Sequence, residues 1–108
     1  MTMSEVSAAS APVVIVTETL VLPSGMPADH LARHHFALFV RWDSGRGWLV
    51  TTLFRDEMLS VKGRKWCGYV TARQRRHYRF ESYGAALSAA IAAVDSRQVD
   101  GRTWEQWR

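Results

Sequence analysis

The sequence predicts an α+β fold: an antiparallel sheet of four to six strands, one long C-terminal helix packed across it, and a short terminal helical turn. Three observations lead there. Apolar and polar residues alternate with a period of two in several runs between residues 13 and 81, whereas the alanine-rich stretch after Ser82 keeps a helical period. The strand-like runs all precede the helix, unlike the alternating order of a parallel α/β sheet. Turn-forming residues such as Pro23-Ser24-Gly25 and Asp43-Ser44-Gly45-Arg46-Gly47 separate the runs.

The elements follow in order. Residues 1–11 are small and polar without periodicity and read as a flexible tail, leaving residues 12–108 as a single domain. Val13 to Leu22 is rich in β-branched residues and predicts a first strand. Pro27 to His35 has room for one or two helical turns. Phe36 to Trp42 places Phe36, Leu38, Val40 and Trp42 on one face, and the run from Trp48 to Phe54 does the same with Trp48, Val50, Thr52 and Phe54. The glycines between them predict a hairpin loop. Leu49 and Leu53 on the opposite face point to a strand covered on both sides.

After a turn at Arg55-Asp56-Glu57, Met58 to Val61 predicts a short strand ending at Lys62-Gly63. Arg64 to Ala72 and Arg76 to Glu81 then predict a second hairpin, with Arg73-Gln74-Arg75 as its turn. Ser82 is a helix cap, and Tyr83, Leu87, Ala90, Ile91 and Val94 form the predicted inward stripe of the following helix. Thr103-x-x-Gln106 is a capping-box pattern for a last turn that would bring Trp104 and Trp107 onto the sheet or helix.

The 108 residues are 47% hydrophobic, which places the chain in the globular range rather than among disordered sequences. Its single cysteine, Cys67, cannot form an internal disulfide. The N-terminus lacks a basic leader region, and no apolar run is long enough to span a bilayer. A cytoplasmic protein with no membrane association is the expectation.

Charge carries most of the functional information. Between Lys62 and Arg79 stand seven basic side chains, Lys62, Arg64, Lys65, Arg73, Arg75, Arg76 and Arg79, with His77 beside them and no acidic residue. The other 90 residues hold seven basic and ten acidic side chains. A slightly acidic body therefore carries one basic segment. Phosphate neutralisation by Lys and Arg supplies most nucleic-acid affinity, and a two-stranded ribbon fits a major groove. Arginine favours bidentate contacts with phosphate or carboxylate. Tyr69, Tyr78 or Trp66 would stack on bases if exposed.

The expected function is thus a non-enzymatic protein that binds nucleic acid, DNA before RNA, through Lys62, Arg64, Lys65, Tyr69, Arg73, Arg75, Arg76, His77 and Arg79. The alternative is a regulator or inhibitor that uses the same patch on an acidic protein surface, such as a component of a larger nucleic-acid-handling complex or an antitoxin-like partner. Five tryptophans also leave room for a protein interface or a homodimer, because Trp and Arg are enriched in binding hot spots. The stretch RRHYRFESYGAALSAAIAAVD, in which a strand meets a capped alanine-rich helix, resembles in outline the DNA-binding domains that lay a three-stranded sheet in the major groove, such as integrase arm-binding domains. That resemblance covers about 20 residues, departs from the pattern over the longer N-terminal half, and implies DNA as partner.

Catalytic and metal chemistry have little support. His30 and His34 stand four apart, with His35, Asp29 and Cys67 as further donors, but neither HExxH nor CxxC occurs and no metal or other cofactor is expected. Cys67 lies between Trp66 and Gly68 without a nucleophile motif and reads as a buried or semi-buried, inert thiol. Asp56-Glu57 is a poor acid–base pair, since neighbouring strand residues face opposite ways. Gly45-Arg46-Gly47 belongs to a hairpin rather than to a phosphate loop.

Overall fold

The structure, a computed structural model, describes residues 11–13, 15–53 and 57–107. The expected tail falls almost wholly outside the described residues, as do Val14, Phe54 and the Arg55-Asp56 part of a predicted turn. Five antiparallel strands form one sheet in chain order: β1 (Glu18–Val21), β2 (Leu38–Trp42), β3 (Trp48–Thr51), β4 (Glu57–Leu59) and β5 (Trp66–Gly68). A single turn, α1 (Arg33–Phe36), precedes β2, and the twelve-residue α2 (Tyr83–Val94) packs across β1 to β3. The α+β class, the strand number and the long helix all match the sequence expectation.

β1 to β3 are the regular part. The pairing runs Glu18 to Arg41 through Val21 to Leu38, then Phe39 to Thr51 through Trp42 to Trp48. This register puts Val21, Leu38, Val40 and Val50 on the helix side, where they close over Ala86, Ala89, Ala90 and Val94. Ser82 caps α2 as expected, its hydroxyl accepting the Ala85 N–H at 3.1 Å.

The inward stripe of α2 keeps Ala90 and Val94 buried and Tyr83 and Leu87 packed against the core as predicted, but it is shifted away from Ile91. Ala86, Ala89 and Ala90 are buried, while Ile91 is 56% exposed. Nearly every residue of this helix is apolar, so periodicity alone allows several faces. The alanine face wins because small side chains let the helix lie close against the bulky residues of the sheet.

β1 is shorter than predicted: Val13, Ile15 and Val16 lie exposed ahead of it. Leu49 and Met58, on the face away from α2, are buried beside Arg75, so the chain after β5 turns back under the sheet. Trp104 and Trp107 do not rest on the sheet or on α2. They join Leu22, Met26, Ala32, Phe36 and Val99 in a second apolar cluster, with Phe36 and Trp107 edge to face at 5.5 Å. The Thr103 N–H donates to Gln106 Oε1 at 2.9 Å, as the capping-box pattern predicts.

The second predicted hairpin is not formed. β5 covers only Trp66–Gly68 and ends at Tyr69, whose φ of 55° lies in the left-handed region. Residues 74–77 make a 3-10 turn instead of a hairpin tip followed by a strand. Of the expected strand at 76–81, one pairing survives: Phe80 and Trp48 exchange both backbone hydrogen bonds, at 2.9 and 2.7 Å. β4 pairs with β3 only at Thr51 and Met58, which frees the Trp48 end of β3 for Phe80. Gly47 is required there, since a Cβ would sit 2.7 Å from the Phe80 carbonyl oxygen and the backbone has φ of 141°.

Candidate functional site

The basic segment is an irregular flank of the sheet, held by local polar contacts. At the end of β4, Ser60 organises the turn that carries Lys62, Arg64 and Lys65. Its hydroxyl donates to the Lys62 carbonyl at 2.6 Å and accepts the Lys65 N–H at 2.9 Å. The left-handed residues Gly63 and Arg64 close this turn, with φ of 77° and 47°. All three cationic side chains are exposed. The Arg64 guanidinium lies 5.1 Å from the Phe80 ring centre and donates to the Val61 carbonyl.

The 3-10 turn is built on a reciprocal pair. The Thr71 N–H donates to Gln74 Oε1 at 3.1 Å, and the Gln74 N–H donates to Thr71 Oγ1 at 3.3 Å. This is the capping-box chemistry of Thr103 and Gln106, in the same Thr-x-x-Gln spacing. That spacing was the signal in the sequence for a helical turn rather than a hairpin tip. The Val61 N–H donating to the His77 carbonyl at 3.0 Å ties the two turns together.

The join produces a cleft of about 420 Å³ lined by Ser60, Val61, Lys62, Arg76, His77 and Arg79. Lys62, Arg76 and His77 are exposed at its walls, and Arg76 Nε donates to His77 Nε2 at 3.4 Å. Arg73 is also exposed, on the approach to the 3-10 turn.

Arg75 and Arg79 have a different role. Both are half-buried and converge on Asp43 from the first hairpin, Arg79 Nε at 2.5 Å and Arg75 Nη1 at 3.5 Å. Asp43 had no place among the sequence-derived site residues because it lies over thirty residues away in a turn that reads as a simple hairpin loop. The two arginines expected at the front of the patch are thus fixed to the body of the protein, and the exposed charge comes from Lys62, Arg64, Lys65, Arg73 and Arg76.

The aromatic residues also separate. Trp66 packs toward α2 with the Arg97 guanidinium 5.5 Å from its ring centre, and Phe80 is in the core. Tyr78 is half-buried, and its hydrogen bond to the Cys67 thiol, with burial adding to it, raises its pKa above the usual phenol value. Tyr69 alone of these is fully presented, at 95% exposure. Cys67, read from the sequence as buried or semi-buried, is exposed on β5, the last strand in the sheet order.

His30 and His35 pack against Trp104 and Trp107, while His34 is exposed. His30 Nδ1 accepts the Ala32 N–H at 3.0 Å, and His35 lies against Trp107 with ring centres 4.8 Å apart. Among the described residues no three His, Cys, Asp or Glu side chains converge as a metal site would require. No helix among the described residues is long and apolar enough to cross a membrane. No family model matches this chain, and no curated protein and no solved structure matches it.

Proposed function

We propose that this chain is a binding protein, not an enzyme, that engages nucleic acid through the phosphate backbone at the flank formed by residues 60–79. The observation that carries the reading is the division of labour among the arginines. Asp43 anchors Arg75 and Arg79 inside the fold, while Lys62, Lys65, Arg73 and Arg76 are exposed on tied turns, with the exposed Arg64 folded back over Phe80 and no acidic residue among them. Cations on a braced backbone lose less freedom on binding than cations on a loose loop. Lys62, Arg76 and His77 around one cleft suit a phosphate group, whose oxygens accept several charge-assisted hydrogen bonds.

The loss of the second hairpin changes the mode of binding. No narrow ribbon carries these arginines into a major groove, so contacts along the backbone replace base-edge reading. The test is a fluorescence-anisotropy titration with labelled DNA and RNA across a salt series. Dissociation constants tighter than about 10⁻⁴ M at physiological salt are expected. Lys62→Ala with Arg76→Ala should reduce the slope of log K against log salt by about 1.4 to 1.8, as expected for two lost phosphate contacts. Absence of binding to every nucleic acid, together with stable capture of an acidic protein by the same surface, would replace this reading with a protein-binding regulator.

A further inference from the structure

Tyr69 combines three features that the phosphate-binding reading leaves unexplained. Its side chain is 95% exposed, its backbone sits at φ 55°, and it occurs on the basic flank directly after β5. Exposure of a large aromatic ring gives up the burial that normally retains such residues. The left-handed backbone adds a cost, since Cβ crowds the neighbouring carbonyl, and glycine or asparagine would adopt it more readily. Neither feature contributes to packing.

The backbone at Tyr69 is also within a few nucleotides' reach of the cationic cleft. Tyr69 is two residues before Thr71, whose carbonyl accepts the Arg75 N–H at 3.0 Å, and Arg75 is two residues before His77, a wall of the cleft. Chain geometry keeps the Tyr69 and His77 backbones within about 20 Å of each other, a span of a few nucleotides. The other aromatics of the segment are unavailable: Phe80 is in the core, Trp66 packs against it, and Tyr78 is half-buried.

We infer that the flank selects single-stranded over duplex nucleic acid, with one unpaired base stacked on Tyr69 while phosphates a few nucleotides along the same strand lie at Lys62, Arg76 and His77. This inference rests on the phosphate-binding reading above and narrows its partner. A duplex offers phosphates to the same cations, but its bases are stacked on one another and present no open face. A single strand offers both, and the ring accepts any base because every base has a π face.

The experiment compares a labelled 15-nucleotide oligothymidylate with a DNA duplex of the same length, against the wild-type chain, Tyr69→Gly and Tyr69→Phe. Glycine suits the backbone at position 69, so Tyr69→Gly should fold, with circular dichroism and thermal melting as the check. The wild type and Tyr69→Phe should bind the single strand about tenfold or more tightly than the duplex. Tyr69→Gly should lose most of that preference, within the roughly 5- to 150-fold range of one stacked base, while its salt slope stays unchanged. Equal binding of both forms by the wild type, or an unaltered preference in Tyr69→Gly, overturns the single-strand inference and leaves phosphate binding standing. Failure to bind either form overturns both.

Discussion

The half of the sheet under α2 and the basic flank beyond it are held together differently. In the first, β1, β2 and β3 pair over four consecutive positions at each seam, and the apolar faces of two layers close on one another. In the second, β3 and β4 share one register pair, β5 is three residues long, and the chain is fixed by Ser60, by the Thr71–Gln74 pair and by Asp43. Apolar burial favours any arrangement that removes area from water, whereas polar ties need particular partners at particular angles. The core can therefore absorb small changes by repacking, while the flank depends on individual side chains to aim its charges.

The largest effect should come from the first region. Leu38 is fully buried between β1, β3 and α2, and Leu38→Ala should cost about 2 to 5 kcal/mol of unfolding free energy in a denaturant titration. A smaller loss would mean that the layers are loosely packed and would weaken the contrast. Asp43 probes the link between the regions. Asp43→Asn leaves Arg75 and Arg79 without their carboxylate, and a loss of about 1 to 3 kcal/mol is expected because the group is mostly but not wholly buried. Protection of the flank amides against hydrogen exchange should fall first. Equal loosening of β1 to β3 would show that the two regions unfold together.

The smallest effect is electrostatic and lies at the far end of α2. The Ser24 N–H and hydroxyl donate to Asp95 at 2.7 and 2.8 Å, and these bonds hold its carboxyl below the ordinary aspartate range. The folded state thus binds this proton less readily than the unfolded chain. The resulting stabilisation is present above the unfolded pKa of about 3.9 and is lost as pH falls through the lower folded value. Asp95→Asn should flatten that part of the pH–stability profile, measured by thermal melting in acid. An unchanged profile would assign the acid sensitivity elsewhere.

Much of the first region was legible in the residues. Alternation at Leu38, Val40, Trp42 and at Trp48, Val50, together with the Asp43 to Gly47 turn, determines strands and a hairpin because a period of two puts these side chains on one shared face. Ser82 marks the start of α2 because its hydroxyl meets an orphan N–H within its own turn. The clustering of positive charge is likewise a property of the sequence itself. The buried face of α2 was not decided there, because alanines surround the helix and only the sheet beneath selects among them.

The arrangement of the flank belongs to the tertiary structure. Tyr69, Tyr78 and Trp66 are all aromatic, and composition does not separate the one that faces solvent from those that do not. Arg75 and Arg79 share the sequence signature of Arg73 and Arg76, and Asp43, distant in the chain, makes them different. The sequence by itself determined an α+β domain with its cations gathered in one segment, because period, capping and charge are local. Which of those cations point outward, and beside which aromatic ring, was decided by long-range contacts between that segment and the first hairpin, since a side chain's partner depends on what the fold brings within hydrogen-bonding distance.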